Sequence, residues 1–268
     1  MRFIQGKWEA YWFYRFLSPL YDRWVNPLFW TPEMRSSALR LARLDDERLR
    51  TLDVGAGTGF STEGIVERVA PRNVTMVDQS PAQLKRSRLK PRLADCARLV
   101  GDAEELRFET DSFDRYVSCG SIEYWPDPVR AIAEAYRVLR PGGIALVVGP
   151  LRPRRRLARL LADTWMLFPT EAEYRTWFAE AGFERLETAH VKAPWHDGGG
   201  GAPYGLAIAG RKPRAGISPA ASGARVERRP EPSLPVRVGR FVLGSLAGAA
   251  FVPVGVVLGR RARRSRPS

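Results

Sequence analysis

Leu52-Asp53-Val54-Gly55-Ala56-Gly57-Thr58-Gly59-Phe60 is the stretch on which the fold turns. It joins an apolar run, Arg50–Val54, to a helical pattern, Ser61–Val69. Glycine at 55, 57 and 59 lets the backbone turn tightly and lets a ligand approach without meeting a Cβ. The spacing is GxGxG rather than GxGxxG, which argues against the usual dinucleotide fingerprint. Asp53, just before the loop, is positioned to accept from a cationic or amine-bearing ligand. Asp78, in Val77-Asp78-Gln79-Ser80, ends the next apolar run, where a carboxylate can take both hydroxyls of a ribose. Asp102, in Gly101-Asp102-Ala103-Glu104, ends the third and can accept from an adenine amino group. Any one of these acids could simply cap a helix. Three acids at successive strand ends beside a glycine loop point instead to a nucleoside-bearing ligand.

Further out, short apolar runs alternate with helical patterns. Strands are expected at Arg50–Val54, Asn73–Asp78, Ala97–Val100, Asp114–Cys119, Gly143–Gly149, Arg185–Lys192 and Tyr204–Arg211. Helices are expected at Ser61–Val69, Pro81–Leu89, Pro126–Leu139, Arg154–Leu167 and Thr170–Ala181. This alternation predicts an α/β fold with a seven-stranded, mostly parallel sheet covered on both faces. The last two strands have no helix between them and close the sheet as an antiparallel hairpin. Four segments follow: an aromatic-rich helical lid (1–48), the ligand-binding core (49–212), a Pro/Arg-rich linker (213–236) and an apolar segment with Arg-rich flanks (237–268). The first 30 residues hold 11 of the 28 aromatics, which is why they read as a cover for something greasy.

The formal charge of +14 is unevenly spread. Residues 211–268 carry 13 basic groups against two acids, and residues 1–210 carry 30 against 27. The body is nearly neutral, so a surface shaped for nucleic acid is excluded. Phe241–Gly259 is 19 residues without a charge, bracketed by arginines. As a helix it would be roughly 28 Å long, about one hydrocarbon core. It reads as a membrane-associating helix, spanning or lying in the bilayer and kinked at Pro253, with arginines drawn to anionic lipid. Gly244/Gly248 and Gly255/Gly259 offer a helix-pairing face for a homo-oligomer. Two cysteines without ligand spacing and two histidines exclude a disulfide framework and a His-rich metal site, so no metal is expected. The N-terminus has neither a signal-peptide apolar region nor a Ser/Arg-rich transit stretch.

The order DVGAGTG, VDQS, GDAEEL, DRYVSCGSIEYW and YRVLRPGG resembles the class I S-adenosylmethionine-dependent methyltransferases, which have a Rossmann-like fold. The resemblance implies S-adenosylmethionine as cofactor. It implies that Asp53, Gly55, Ala56, Gly57 and Gly59 hold its methionine part, Asp78 and Gln79 its ribose, and Asp102 and Ala103 its adenine, with Cys119 beside it. The flanks YWFYRFLSPLYDRWVNPLFWTPEMR, SIEYWPDP and GRFVLGSLAGAAFV are similar to the methyltransferases of 2-methyl-6-phytyl- and 2-methyl-6-solanesyl-1,4-hydroquinone, which serve tocopherol and plastoquinone synthesis. That likeness implies C-methylation of a prenylated quinol ring at a membrane, with the catalytic domain on the cytoplasmic face of a prokaryotic inner membrane or an equivalent plastid envelope. A menaquinol-type ring, a small-molecule O-methylation and a non-catalytic, membrane-tethered S-adenosylmethionine-binding protein are the competing readings. A general base would help the ring attack the sulfonium methyl. Glu123, His190 and His196 are the candidates, with Glu123 or Tyr124 contacting substrate or cofactor at the catalytic site and Tyr21, Asp22 and Trp125 lining the substrate site and lid.

Overall fold

The computed structural model describes residues 30–153, 156–192, 203–223 and 233–246. Seven strands form one sheet: β1 Thr51–Val54, β2 Val74–Asp78, β3 Ala97–Val100, β4 Phe113–Cys119, β5 Leu139–Pro150, β6 Glu184–Val191 and β7 Gly205–Arg211. Their spatial order is β3-β2-β1-β4-β5-β7-β6. The first five run parallel, and β7 is antiparallel to both β5 and β6. The strand order reverses beside β1, so a crevice opens between the ends of β1 and β4, where such sheets bind ligands. β1 and β7 are buried along almost their whole length, as expected of strands covered on both faces.

The helices are α1 Pro32–Leu39, α2 Phe60–Ile65, α3 Pro81–Ser87, α4 Pro128–Val138, α5 Arg156–Trp165, α6 Glu171–Glu180, α7 Pro219–Gly223 and α8 at residues 234–246. The starts of α2 to α6 fall within about two residues of those expected from the sequence. Thr31, Ser80, Asp127 and Thr170 each accept a backbone N–H of the first turn. Three of those helices then begin with proline, whose missing N–H costs nothing at that position. Thr170 and Glu173 form a reciprocal capping box. One core packs α4 and α6 against the sheet, around Tyr116, Tyr136, Tyr174, Phe178 and Ile208. The other packs α1 and α2 on the opposite face, around Leu39, Ile65, Met76 and Leu146.

The segment boundaries differ from the sequence reading at both ends. Residues 30–48 are not lid: Met34, Ala38, Leu39, Ala42 and Leu44 are core residues of the second face. Residues 1–29, with Tyr21 and Asp22, lie outside the described residues. The core does not stop at 212. Lys212 is fully buried, its Nζ donating to Asp111 Oδ1 at 2.5 Å and to the Gly216 carbonyl at 2.7 Å, over the ring of Tyr136. Ser218, equally buried, donates to the Ala181 carbonyl at 2.9 Å, and α7 packs on α4. A Pro/Ser/Arg composition reads as linker, but buried hydrogen bonds through residue 218 and the packing of α7 make 213–223 part of the domain. Among the described residues, no helix is long and apolar enough to cross a membrane. α8 begins before the uncharged run, and residues 247–268 lie outside the described residues.

Candidate active site

The loop after β1 is held by backbone bonds that the glycines permit. Gly55 and Ala56 donate to the Val77 carbonyl at 2.8 and 3.1 Å, and Gly59 donates to Ala56 at 2.8 Å. Gly55, Gly57 and Gly59 all have positive φ. Their reasons for being glycine differ. A Cβ on Gly55 would collide with Ser121, which follows β4, and one on Gly59 with Leu93. A Cβ on Gly57 would meet no protein atom within 4 Å. The first two glycines serve packing, while the space beside Gly57 is open to a ligand.

The acids are arranged around this space. Asp78 accepts from Gly57 N–H at 2.9 Å through Oδ2 and from Ser80 N–H at 2.8 Å through Oδ1. Burial raises its pKa, while the two N–H groups pull it down. An ionised carboxylate has about four acceptor positions, so two remain for ribose hydroxyls. Gln79 lies half-buried next to it. Asp102 is half-buried after β3 and accepts from Glu104 N–H at 3.0 Å, with Ala103 packed on the core beside it. Glu104, unmarked by the sequence reading, braces this turn by accepting from Asp127 N–H at 2.9 Å.

Asp53 departs from expectation. It has no exposed surface, and its Oδ2 accepts from the Thr62 hydroxyl at 2.6 Å. Burial pushes its carboxyl up to about 7, the Thr62 bond working against this and the Asp78 charge with it. It supports the loop from beneath instead of lining it. Cys119 is likewise buried, its thiol pushed up by burial. Thr62, Ser121 and Glu104 went unread because each acts through a partner at least nine residues away in the chain, and no local pattern marks them.

On the far side of the crevice, Ile122–Tyr124 form a single 3-10 turn beyond β4. The turn is clamped. The Glu123 carbonyl accepts from Leu167 N–H at 3.1 Å, and Ile122 fills the place of a Cβ on Gly149 together with the Tyr174 hydroxyl. That hydroxyl donates to the Pro150 carbonyl at 3.2 Å. Glu123 Oε1 lies near Gly120, and its Oε2 is shielded with no partner among the described residues. Burial pushes the Glu123 carboxyl up to about 7, the range of a working general base.

Tyr124 and Trp125 stay with Glu123 at this turn, but the structure sets His190 apart from it. His190 stands on the edge strand β6, three strands from β4, or roughly 14 Å away laterally. There it pairs with Glu171 at 3.0 Å, beside Arg175. Trp125 is buried in the first core rather than in a lid, and Tyr124 is buried too. His196 lies outside the described residues.

α1 is anchored to the loop helix by Arg35. Its guanidinium donates to the Phe60 carbonyl at 3.0 Å and to Glu67 at 2.9 Å, and lies 4.8 Å from the Phe60 ring centroid. Trp30, the first described residue, packs on the same ring at 6.4 Å.

The family described as "Methyltransferase domain" matches residues 52–147. The chain is 50% identical over 260 residues to 2-methyl-6-phytyl-1,4-hydroquinone methyltransferase 2, chloroplastic, of Oryza sativa subsp. japonica, covering 96% of this chain and 75% of the relative. It is 49% identical to the chloroplastic 2-methyl-6-phytyl-1,4-hydroquinone methyltransferase of Arabidopsis thaliana, covering 96% and 77%. Among solved structures, a SAM-dependent methyltransferase from Thermotoga maritima superposes with TM-score 0.58 at 23% identity, over 75% of this chain and 99% of that one, which shows the shared fold.

Proposed function

The chain belongs to the 2-methyl-6-phytyl-1,4-hydroquinone methyltransferase family, and from that premise we propose that it moves a methyl group from S-adenosylmethionine to a ring carbon of a prenylated benzoquinol. One observation carries this reading. The methyltransferase-domain match stops at residue 147, yet the likeness to the quinol methyltransferases runs through 96% of the chain. What is shared beyond the donor-binding half is the part free to recognise the acceptor.

The residues present fit S-adenosylmethionine: the open space beside Gly57, the remaining acceptor positions of Asp78, and Asp102 across the crevice. That cofactor supplies an electrophilic methyl on a sulfonium when bound. In our reading Gly57 admits it, Asp78 and Gln79 hold its ribose, and Asp102 and Ala103 bound its adenine. Glu123 takes the phenolic proton of the quinol, which raises the nucleophilicity of the ring carbons ortho and para to that oxygen. A carboxyl near 7 is half ionised at neutral pH, so it can accept a proton and return it to solvent. The clamped turn of residues 122–124 keeps it in place.

The acceptor's prenyl tail partitions into lipid, so the enzyme works at a membrane surface. α8 supports this. Leu234, Val238, Val242 and Leu246 recur every fourth residue and are all exposed, while Arg237 and Arg240 lie on its other side. A basic amphipathic helix of this kind lies in a bilayer interface. We read 237–268 as the membrane-associating segment, 1–29 as the lid, and 224–236 as what remains of the linker. The relatives named above are both chloroplastic, so a plastid-type membrane is the setting we propose, and the expected prokaryotic inner membrane finds no support in them.

The test is to supply membranes containing the full chain with labelled methyl donor and a panel of prenylated benzoquinols and naphthoquinols. Label entering the lipid phase with a benzoquinol is expected. Label found only in RNA or in water-soluble acceptors overturns the proposal.

A further inference from the structure

A second cavity, of about 210 Å³, lies at the end of the sheet where β5 and β6 begin, opposite the crevice. Leu41, Ile144, Ala209 and Gly210 form its floor, and Arg43, Arg185, Arg211 and Glu187 its walls. Its charge is unbalanced. Glu187 pairs with Arg43 at 2.5 Å. The side chains of Arg185 and Arg211 make no hydrogen bond or ion pair among the described residues. A fourth guanidinium, Arg115, stands nearby: burial lowers its pKa, the charges of Asp45 and Asp114 raise it, and those of Arg43 and Arg211 lower it again. Like charges gathered at one opening repel one another, and an anion reverses the sign of that interaction.

The backbone is also unusual here. Arg43 and Arg185 have φ of 48° and 51°, and Asp111 is the one other non-glycine residue with positive φ among those described. A left-handed backbone at a long side chain is strained, and such strain gathers where surrounding structure holds a side chain in a set direction. Arg43 takes its φ as the residue that ends the 3-10 turn Arg40–Ala42 and Arg185 lies at the register shift between Glu184 and Glu187, and both line this cavity.

We propose that this cavity binds a phosphoryl group carrying a short apolar substituent, remote from the methyl-transfer site. Arginine forks match phosphate oxygens with paired N–H donors, and the Leu41/Ile144 floor takes the substituent. Glu187 opposes binding by holding Arg43. This sets a direction that a merely structural cluster would not show.

The experiment is calorimetric titration of the full chain with inorganic phosphate at constant ionic strength. A second arm measures co-sedimentation with phosphatidylcholine vesicles with or without phosphatidylglycerol. Saturable phosphate or phosphatidylglycerol binding is expected, weakened at least about tenfold in the Arg185→Ala/Arg211→Ala double variant, which loses two charge-assisted contacts. Glu187→Gln is expected to bind several-fold more tightly than wild type. S-adenosylmethionine affinity, unchanged in all variants, serves as the check on folding. This pattern with free phosphate alone assigns the site to a soluble phosphate compound, and with vesicles to a lipid headgroup. Either supports the site. The proposal is overturned if neither probe separates the double variant from wild type, if Glu187→Gln weakens binding, or if chloride competes as well as phosphate does.

Discussion

Glu123→Gln is expected to slow the enzyme and stabilise it at the same time. Burial sets the Glu123 carboxyl at about 7 against an ordinary 4.5. At about 1.4 kcal/mol per pKa step, keeping it ionised in the fold costs about 3 kcal/mol. The residue is only half-buried, and solvent screening reduces this to about 2 kcal/mol. The folded chain holds this proton more tightly than the unfolded chain. Stability is therefore full below about pH 4.5 and declines as pH rises to about 7. Glutamine has nearly the same shape and no proton to lose. The variant should match wild type at about pH 4 and exceed it at about pH 8.5 by about 2 kcal/mol, or roughly 4–8 °C in Tm for a domain of this size. Turnover should fall by about a hundredfold or more, the usual contribution of a positioned base. The acid limb of the wild-type kcat/KM profile, centred near 7, should vanish. Paired thermal melts across pH and a pH–rate profile on prenylated quinol measure both. A Tm difference that does not change with pH, or full turnover at neutral pH, refutes the reasoning.

Gly57→Ala and Gly55→Ala should separate ligand space from packing. The first is expected to raise the S-adenosylmethionine Kd more than about tenfold with a stability loss of about 1 kcal/mol from its positive φ, and the second to lower Tm by colliding with Ser121; titration and melts distinguish them. Asp78→Asn should weaken S-adenosylmethionine by about 10- to 100-fold, the worth of one or two bonds to a charged group, read by calorimetry. A chain ended after Lys212 should lose several kcal/mol in denaturant melts, because Asp111 and the Ala181 carbonyl lose buried partners, whereas one ended after Gly223 should melt like the full-length core. Val242→Asp/Leu246→Asp should reduce flotation with anionic vesicles while leaving S-adenosylmethionine affinity unchanged, since these exposed side chains lie on α8.

The strands and most helix starts could be read from the sequence because their causes are local. Apolar runs of four to seven residues, a Thr, Ser or Asp cap and a following proline each act over one turn or one strand. The acids at the ends of β1, β2 and β3 were visible for the same reason: they stand at a fixed offset from an apolar run. The division of labour among them was not visible. Asp53 and Asp78 look alike in sequence, yet Thr62 covers one and the other faces the crevice. His190 and Glu123 were equal candidates until strand order put one on the sheet edge and the other beside the glycine loop.

The sequence by itself determined the donor-binding half of this protein, because glycine φ and strand-end carboxylates depend on near neighbours and a fixed sheet period. Tertiary structure decided which groups are buried, and so which carboxyls keep their protons near neutrality. It also docked 213–223 as part of the domain and gathered arginines from three segments around one cavity. Those outcomes depend on solvent exclusion and charge proximity between residues as much as 170 positions apart, such as Met34 and Tyr204, and nothing in a linear pattern encodes them directly.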